Sequence, residues 1–164
     1  MPRVLLAFVL LLTGCAVSEP TLTQTQAIGL IDKLINQTVR AITPKPRLEV
    51  LPSFNAPSGC AGEGASEEQI IVSRAYWLRD VPKDQNLAVS RQVRLFWQSQ
   101  GHRIVAAGGG GNLNLSGESR PEGFKLSLTW AEGDHLYLGA SSTCIWPDGT
   151  PAPGPKLPDQ DRGY

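Results

Sequence analysis

Between residues 25 and 42, Ala27/Ile28, Ile31, Leu34/Ile35, Thr38/Val39 and Ile42 recur at three-to-four spacing, while Asp32, Lys33, Asn36, Gln37 and Arg40 hold the opposite side. That period predicts a helix with one packed face and one wet face. Thr23 or Thr25 can cap its start, and Pro44 and Pro46 stop it. Residues 47–51 switch to period two, with Leu48 and Val50 on one side, which predicts a short strand. Residues 52–66 hold two prolines, three glycines and Cys60, and read as a break in regular structure. Residues 68–78 are rich in β-branched and aromatic side chains on both faces, the composition of a strand inside a sheet. Residues 83–100 return to helical spacing, with Leu87, Val89/Ser90, Val93, Phe96/Trp97 and Gln100 expected inward and Gly101 at the left-handed closing position.

The second half of the chain is strand-like. Segments 103–107, 112–116, 124–131 and 135–144 follow in order, the first two separated by the run Gly108–Gly111. Alternation is cleanest from 124 to 131, where Phe124, Leu126, Leu128 and Trp130 are expected inward and Lys125, Ser127 and Thr129 outward. Glu132-Gly133-Asp134 makes a hairpin turn, and Leu136, Leu138, Ala140 and Ser142 share one face of the returning strand. The order α-β-β-α-β-β-β-β predicts an α+β two-layer sandwich, a mainly antiparallel sheet with two helices packed on one face. From residue 146 the chain is dense in proline, and 146–164 reads as an extended, disordered tail.

The first fourteen residues stand apart. Arg3 precedes nine apolar residues, Val4 to Leu12. About 20 are needed to span a bilayer as a helix, so the run suits a cleaved signal peptide. It ends in Leu12-Thr13-Gly14-Cys15, which resembles the bacterial lipobox. That resemblance implies diacylglyceryl transfer to the Cys15 thiol and cleavage after Gly14. A lipidated Cys15 would hold the chain at a membrane surface without a spanning helix, with residues 15–24 as tether and 25–145 as the folded domain.

Charge narrows the partners. The chain has fifteen basic and fifteen acidic side chains, and removal of residues 1–14 takes away only Arg3. A balance near zero argues against nucleic acid. No polybasic run adjoins the anchor. With Cys15 lipidated, Cys60 and Cys144 remain, and in an oxidising compartment two such cysteines most often pair. Two free thiols or a metal pair are the alternatives. The absence of clustered histidine weighs against a metal, and no cofactor is expected.

Catalytic signals are weak. The Gly108–Gly111 run is followed by Asn112 and a strand pattern, not by the helix that a phosphate loop opens, so a hairpin loop is the expectation. His102 and His135 are the two histidines. Asp134, Ser141 and Ser142 lie near His135 in sequence, but no nucleophile-elbow motif is present. Glu63, Glu67 and Glu68 lack the ligand spacing of a calcium loop. Asn36 and Asn114 match the glycosylation acceptor pattern. That pattern favours a secreted eukaryotic domain as the rival origin, which leaves Cys15 unexplained. Tyr137 is expected on the outward face of its strand, beside Ser127 and Thr129, where an aromatic ring can meet a protein partner or a glycan.

Taken together, a lipobox, a helix ending in proline, a Cys-bearing loop, a strand and a second helix closing at Gly101 look like the small actinobacterial lipoproteins of the LppA-like kind. The strand after Gly123-Phe124, the second cysteine and a proline-rich end extend the likeness. The resemblance implies an envelope lipoprotein and carries over no functional residue beyond Cys15 and the Cys60, Cys144 pair. The expectation is therefore a lipid-anchored, extracytoplasmic binding or assembly module without enzymatic activity. An envelope hydrolase using His135 or His102, or a carrier of lipid or small molecules, is the alternative.

Overall fold

A computed structural model describes residues 20–62, 64–108 and 114–151. Helix α1 spans Gln24–Arg40. Thr23 caps it: its hydroxyl accepts the Gln26 N–H at 3.2 Å, and the Gln26 side chain accepts the Thr23 N–H at 2.9 Å. Two N–H groups that the first turn leaves without helical partners are thereby satisfied. Ala27, Ile31, Ile35, Thr38 and Val39 are its buried stripe.

The strands are β1 (Arg47–Val50), β2 (Ser58–Gly59), β3 (Ile70–Ile71), β4 (Ser73–Arg79), β5 (Arg103–Ala107), β6 (Leu115–Glu118), β7 (Lys125–Ala131) and β8 (His135–Ser141). Among the described residues, six form one sheet in the order β1-β4-β8-β7-β6-β5, with every neighbouring pair antiparallel. Helix α2 (Asn86–Ser99), entered through a 3-10 turn at Lys83–Gln85, carries the chain from β4 to β5 at the far edge. α1 packs on β8 and β4, α2 on β5 and β6, and the helices touch each other. The fold is the expected α+β sandwich, with both helices on one face.

The core lies between these layers. Cross-strand register sets Leu115, Leu128, Leu138 and Tyr76 in one row beneath the helices. Ile31, Val89, Val93 and Trp97 pack into the same cluster from above. Each fully buried aliphatic side chain contributes roughly 1.5–3 kcal/mol. Trp97 is fixed in direction as well, because its indole N–H donates to the Thr38 hydroxyl at 3.0 Å and so ties α2 to α1. The ring lies over Gly117, where an added Cβ would sit 3.1 Å from Cε3.

Several expectations change. The strand expected over residues 68–78 is two strands. Ile70 and Ile71 pair with Ser58 and Gly59 as a separate ribbon, and only Ser73–Arg79 joins the main sheet. The last strand ends at Ser141, although Ser142 stays buried and accepts the Val72 N–H. Leu87 and Gln100, expected inward, are exposed; Asn86 takes the inner position and donates to the Asp134 carbonyl at 2.8 Å. The boundary expected after residue 145 is also corrected. Trp146 is buried, its N–H donates to the Thr21 hydroxyl, and the Pro147 and Gly149 carbonyls accept the N–H groups of Gln24 and Thr21. Proline lacks a donor but keeps its carbonyl, so this segment straps the start of α1. Residues 20–23, expected as tether, are the other half of that strap. The remainder of the tail, residues 152–164, lies outside the described residues, as do residues 1–19.

Cys60 and Cys144 are joined by a disulfide, with Cα atoms 5.7 Å apart. The bond fastens the β2–β3 ribbon to the end of β8. Beside it Ile70 and Ile145 exchange two backbone hydrogen bonds of 2.9 Å.

Candidate functional site

Neither helix packs on the second face of the sheet, and its side chains follow from register. One row reads Thr129, Tyr137, Trp77, Glu49 across β7, β8, β4 and β1. Tyr137 is on this open face, as its position opposite Leu136 and Leu138 requires. It is not alone. The Trp77 ring meets the Tyr137 ring edge-on at 5.5 Å and the His135 ring at 6.3 Å. Phe54 arrives from the 3-10 turn Pro52–Phe54, which follows β1, and its ring lies 5.9 Å from that of Tyr137. Edge-on pairs of this kind are favoured by the ring quadrupole. Phe54 is 42% exposed. Trp77 and Tyr137 are half-buried, and His135 is exposed.

An ionic rim closes this cluster. The Arg79 guanidinium sits 5.1 Å above the Trp77 ring, and it donates to Glu49 at 2.8 Å. That hydrogen bond holds the Glu49 carboxyl below the usual carboxylate range. Arg47 bonds Asp80 at 3.2 Å. The pairs are exposed and contribute little to stability. Arg79, held by Glu49, covers the Trp77 ring and makes its border polar.

Next to the aromatic row runs a row of small residues: Ser116, Ser127, Gly139 and Ala75. Gly139 has to be small, since an added Cβ would lie 3.0 Å from Ser127 Oγ and 3.4 Å from the Ala75 methyl. Ala75 is buried although it points away from the helices, because the 3-10 turn folds over β4. Beyond that cover the row opens into a groove of about 400 Å³, lined by Arg103, Val105, Ser116, Glu118, Lys125 and Ser127. A bulge in β5 between Ile104 and Ala106 accommodates Val105, which is 55% exposed. Arg103 pairs with Glu118, and Lys125 has no ion-pair partner among the described residues. Rings beside hydroxyls and one unpaired cation can hold a ligand by stacking and hydrogen bonds.

The histidines are not brought together. His135 opens β8 opposite Ala131, while His102 precedes Arg103, which pairs with Glu118 at the other end of the sheet. His102 Nδ1 accepts the Arg120 N–H at 3.2 Å, and burial holds its imidazole below the ordinary histidine range. Among the described residues no three His, Cys, Asp or Glu side chains gather as metal ligands, and no helix is long and apolar enough to cross a membrane. Glu67 and Glu68 are exposed; Glu63 and residues 109–111 of the glycine run lie outside the described residues. Gly108, at the base of that run, donates its N–H to the Asn114 carbonyl at 2.8 Å. The Asn114 side chain accepts the Trp130 N–H, and the Asn36 amide donates to the Asp32 carbonyl, so both acceptor-pattern asparagines are engaged.

Sequence reasoning missed Trp77 and Phe54. For Trp77 a signal existed: Ser73, Ala75 and Arg79, its same-face neighbours, are small or polar, whereas Tyr76 and Leu78 are bulky. For Phe54 there was none, since a residue in a proline-bearing turn declares no face. No protein-family model, curated protein or solved structure matches this chain.

Proposed function

We propose that this chain is an extracytoplasmic bacterial lipoprotein of the LppA-like kind. Its lipid on Cys15 holds it at the membrane, and its folded domain binds an envelope protein or glycan without transforming it. The single observation that carries the binding reading is the aromatic cluster of Phe54, Tyr137 and Trp77 on a sheet face that no helix covers, with a hydroxyl-lined groove further along the same face. Half-exposed rings at the centre of a polar rim are the kind of anchor on which binding energy concentrates. The disulfide between Cys60 and Cys144 accords with an oxidising location.

The test is capture from native envelopes by the crosslinked full-length protein, with intact mass read on the same preparation. A diacylglyceryl-modified Cys15 at the new N-terminus is expected. The expected partner is one retained by the wild type and weakened about 30-fold by Phe54→Ala with Tyr137→Ala, the loss of one anchor of about 2 kcal/mol. Equal retention by the double variant rejects the open face as the binding surface. An N-terminus still carrying residues 1–14 rejects the anchor.

A further inference from the structure

The outward side of the helix layer is basic in a protein whose charges cancel overall. Helices α1 and α2 together contain four cations, Lys33, Arg40, Arg91 and Arg94, all exposed, and one acid, Asp32. Asp32 is half-buried and turned toward the Tyr76 hydroxyl beneath it. α2 has no acid at all. On either side of its arginines stand two exposed leucines, Leu87 at 46% and Leu95 at 66%. Leu87, Arg91, Arg94, Leu95 and Gln98 recur at helical spacing and form one outer stripe, with a shallow depression of about 370 Å³ at Arg91, Arg94, Leu95 and Gln98. A helix end or a charge cluster alone would say nothing. Here a second feature accompanies the charge: large apolar side chains standing out of the same cationic stripe, the combination that seats a helix in a headgroup region.

We propose that the outer face of α2, flanked by Lys33 and Arg40 of α1, lies against anionic phospholipid headgroups. Arg91 and Arg94 would meet the phosphates, and Leu95 and Leu87 would enter the acyl boundary. This rests in part on the lipid-anchor reading, which brings the domain to a membrane. The two chains of a diacylglyceryl anchor hold the domain at the surface, and a basic apolar face would then set its orientation there. Cys15 and Pro20 are five residue steps apart, which keeps the domain within ~18 Å of its anchor. In that pose the open sheet face points away from the membrane.

The full-length lipidated protein carrying Leu95→Trp, reconstituted in vesicles, tests this against the wild type. Phosphatidylcholine vesicles are compared with vesicles containing about one-third phosphatidylglycerol. In the anionic vesicles the added tryptophan should emit at shorter wavelength and be quenched by acyl-chain-brominated lipid. High salt should reverse both effects. A basic residue near an anionic surface is worth about fivefold in binding, so Arg91→Gln with Arg94→Gln should lower the docked-to-undocked ratio about 25-fold. Unquenched emission in anionic vesicles overturns the proposal. Shielded emission in both vesicle types and in detergent also overturns it, and assigns the stripe to a protein contact or a second copy. Flotation with plain phosphatidylcholine vesicles reports the acyl anchor separately, so failure of the anchor and failure of the docking face are read on different signals.

Discussion

Replacing Cys60 and Cys144 together by serine releases a closed loop, the two positions being 84 residues apart. A crosslink of that span removes about 15 cal/mol/K from the unfolded chain in the chain-entropy relation, or about 4.5 kcal/mol at 25 °C. The folded side changes little, because the same ends are held by the paired Ile70 and Ile145 and by the Cys60 N–H donated to the Gln69 carbonyl at 3.0 Å. Domains of this size have about 5–15 kcal/mol in total, so the double variant should fold with a much thinner margin. At about 2–4 °C per kcal/mol, the midpoint should fall by about 9–18 °C. Urea denaturation of the oxidised protein and the double variant measures the loss. The slope against urea should rise in the variant, since an uncrosslinked unfolded chain exposes more surface. A loss under about 1 kcal/mol with an unchanged slope would refute this reasoning, and would show that the backbone clamp, not the covalent bond, fixes the ribbon.

Gly117→Ala should cost about 1–3 kcal/mol by overpacking. Its methyl would meet Trp97 Cε3 at 3.1 Å and the Arg103 carbonyl at 3.3 Å, while the hydrogen bond to Thr38 keeps the ring from moving aside. Combined with Trp97→Leu the penalty should shrink, and strict additivity of the two changes in urea titrations would contradict the contact. Acidification acts through His102. Burial lowers its folded pKa, Glu122 partly opposing, and a protonated Nδ1 would turn a donor toward the Arg120 N–H. The unfolded chain therefore takes up the proton first. Stability is full above about pH 6.5 and falls as pH drops through that value toward the lowered folded pKa. His102→Gln should flatten thermal midpoints in that window. It should leave the later loss below about pH 4.5, where Glu49 and Glu118, lowered by hydrogen bonds from Arg79 and Arg103, become protonated. An identical slope in the variant would assign the first window to another group.

What the sequence disclosed was whatever is written locally. Thr23, one of two candidate caps, opens α1, and the alternation of Leu126, Leu128 and Trp130 in β7 and of Leu136, Leu138 and Ala140 in β8 sets the faces of both strands. Positions decided by distant partners were not readable. Leu87 fits a helical stripe drawn from Lys83, but the α-helix proper begins at Asn86, and this phase turns Leu87 outward. Trp77 was half-legible: its same-face neighbours Ser73, Ala75 and Arg79 are small or polar, but the side on which the helices pack settles its face. The placement of Phe54 on Tyr137 joins positions that no local pattern relates. Composition misled at Trp146 to Gly149, because proline density reads as a tail while the carbonyls there bond Thr21 and Gln24.

That last arrangement has a mechanical meaning. Were the proposed anchor to hold the chain before Pro20 and a partner to hold the sheet, load would pass through the start of α1. The load meets the strap at once: Thr21 is bonded on both sides, to Gly149 and to Trp146, and the Cys60–Cys144 bond lies just behind. Pulling along the chain therefore strains these bonds together before it can peel the helix from the sheet turn by turn. The domain is buckled at the point where a leash would tug, and tension is passed into the crosslinked end of the sheet.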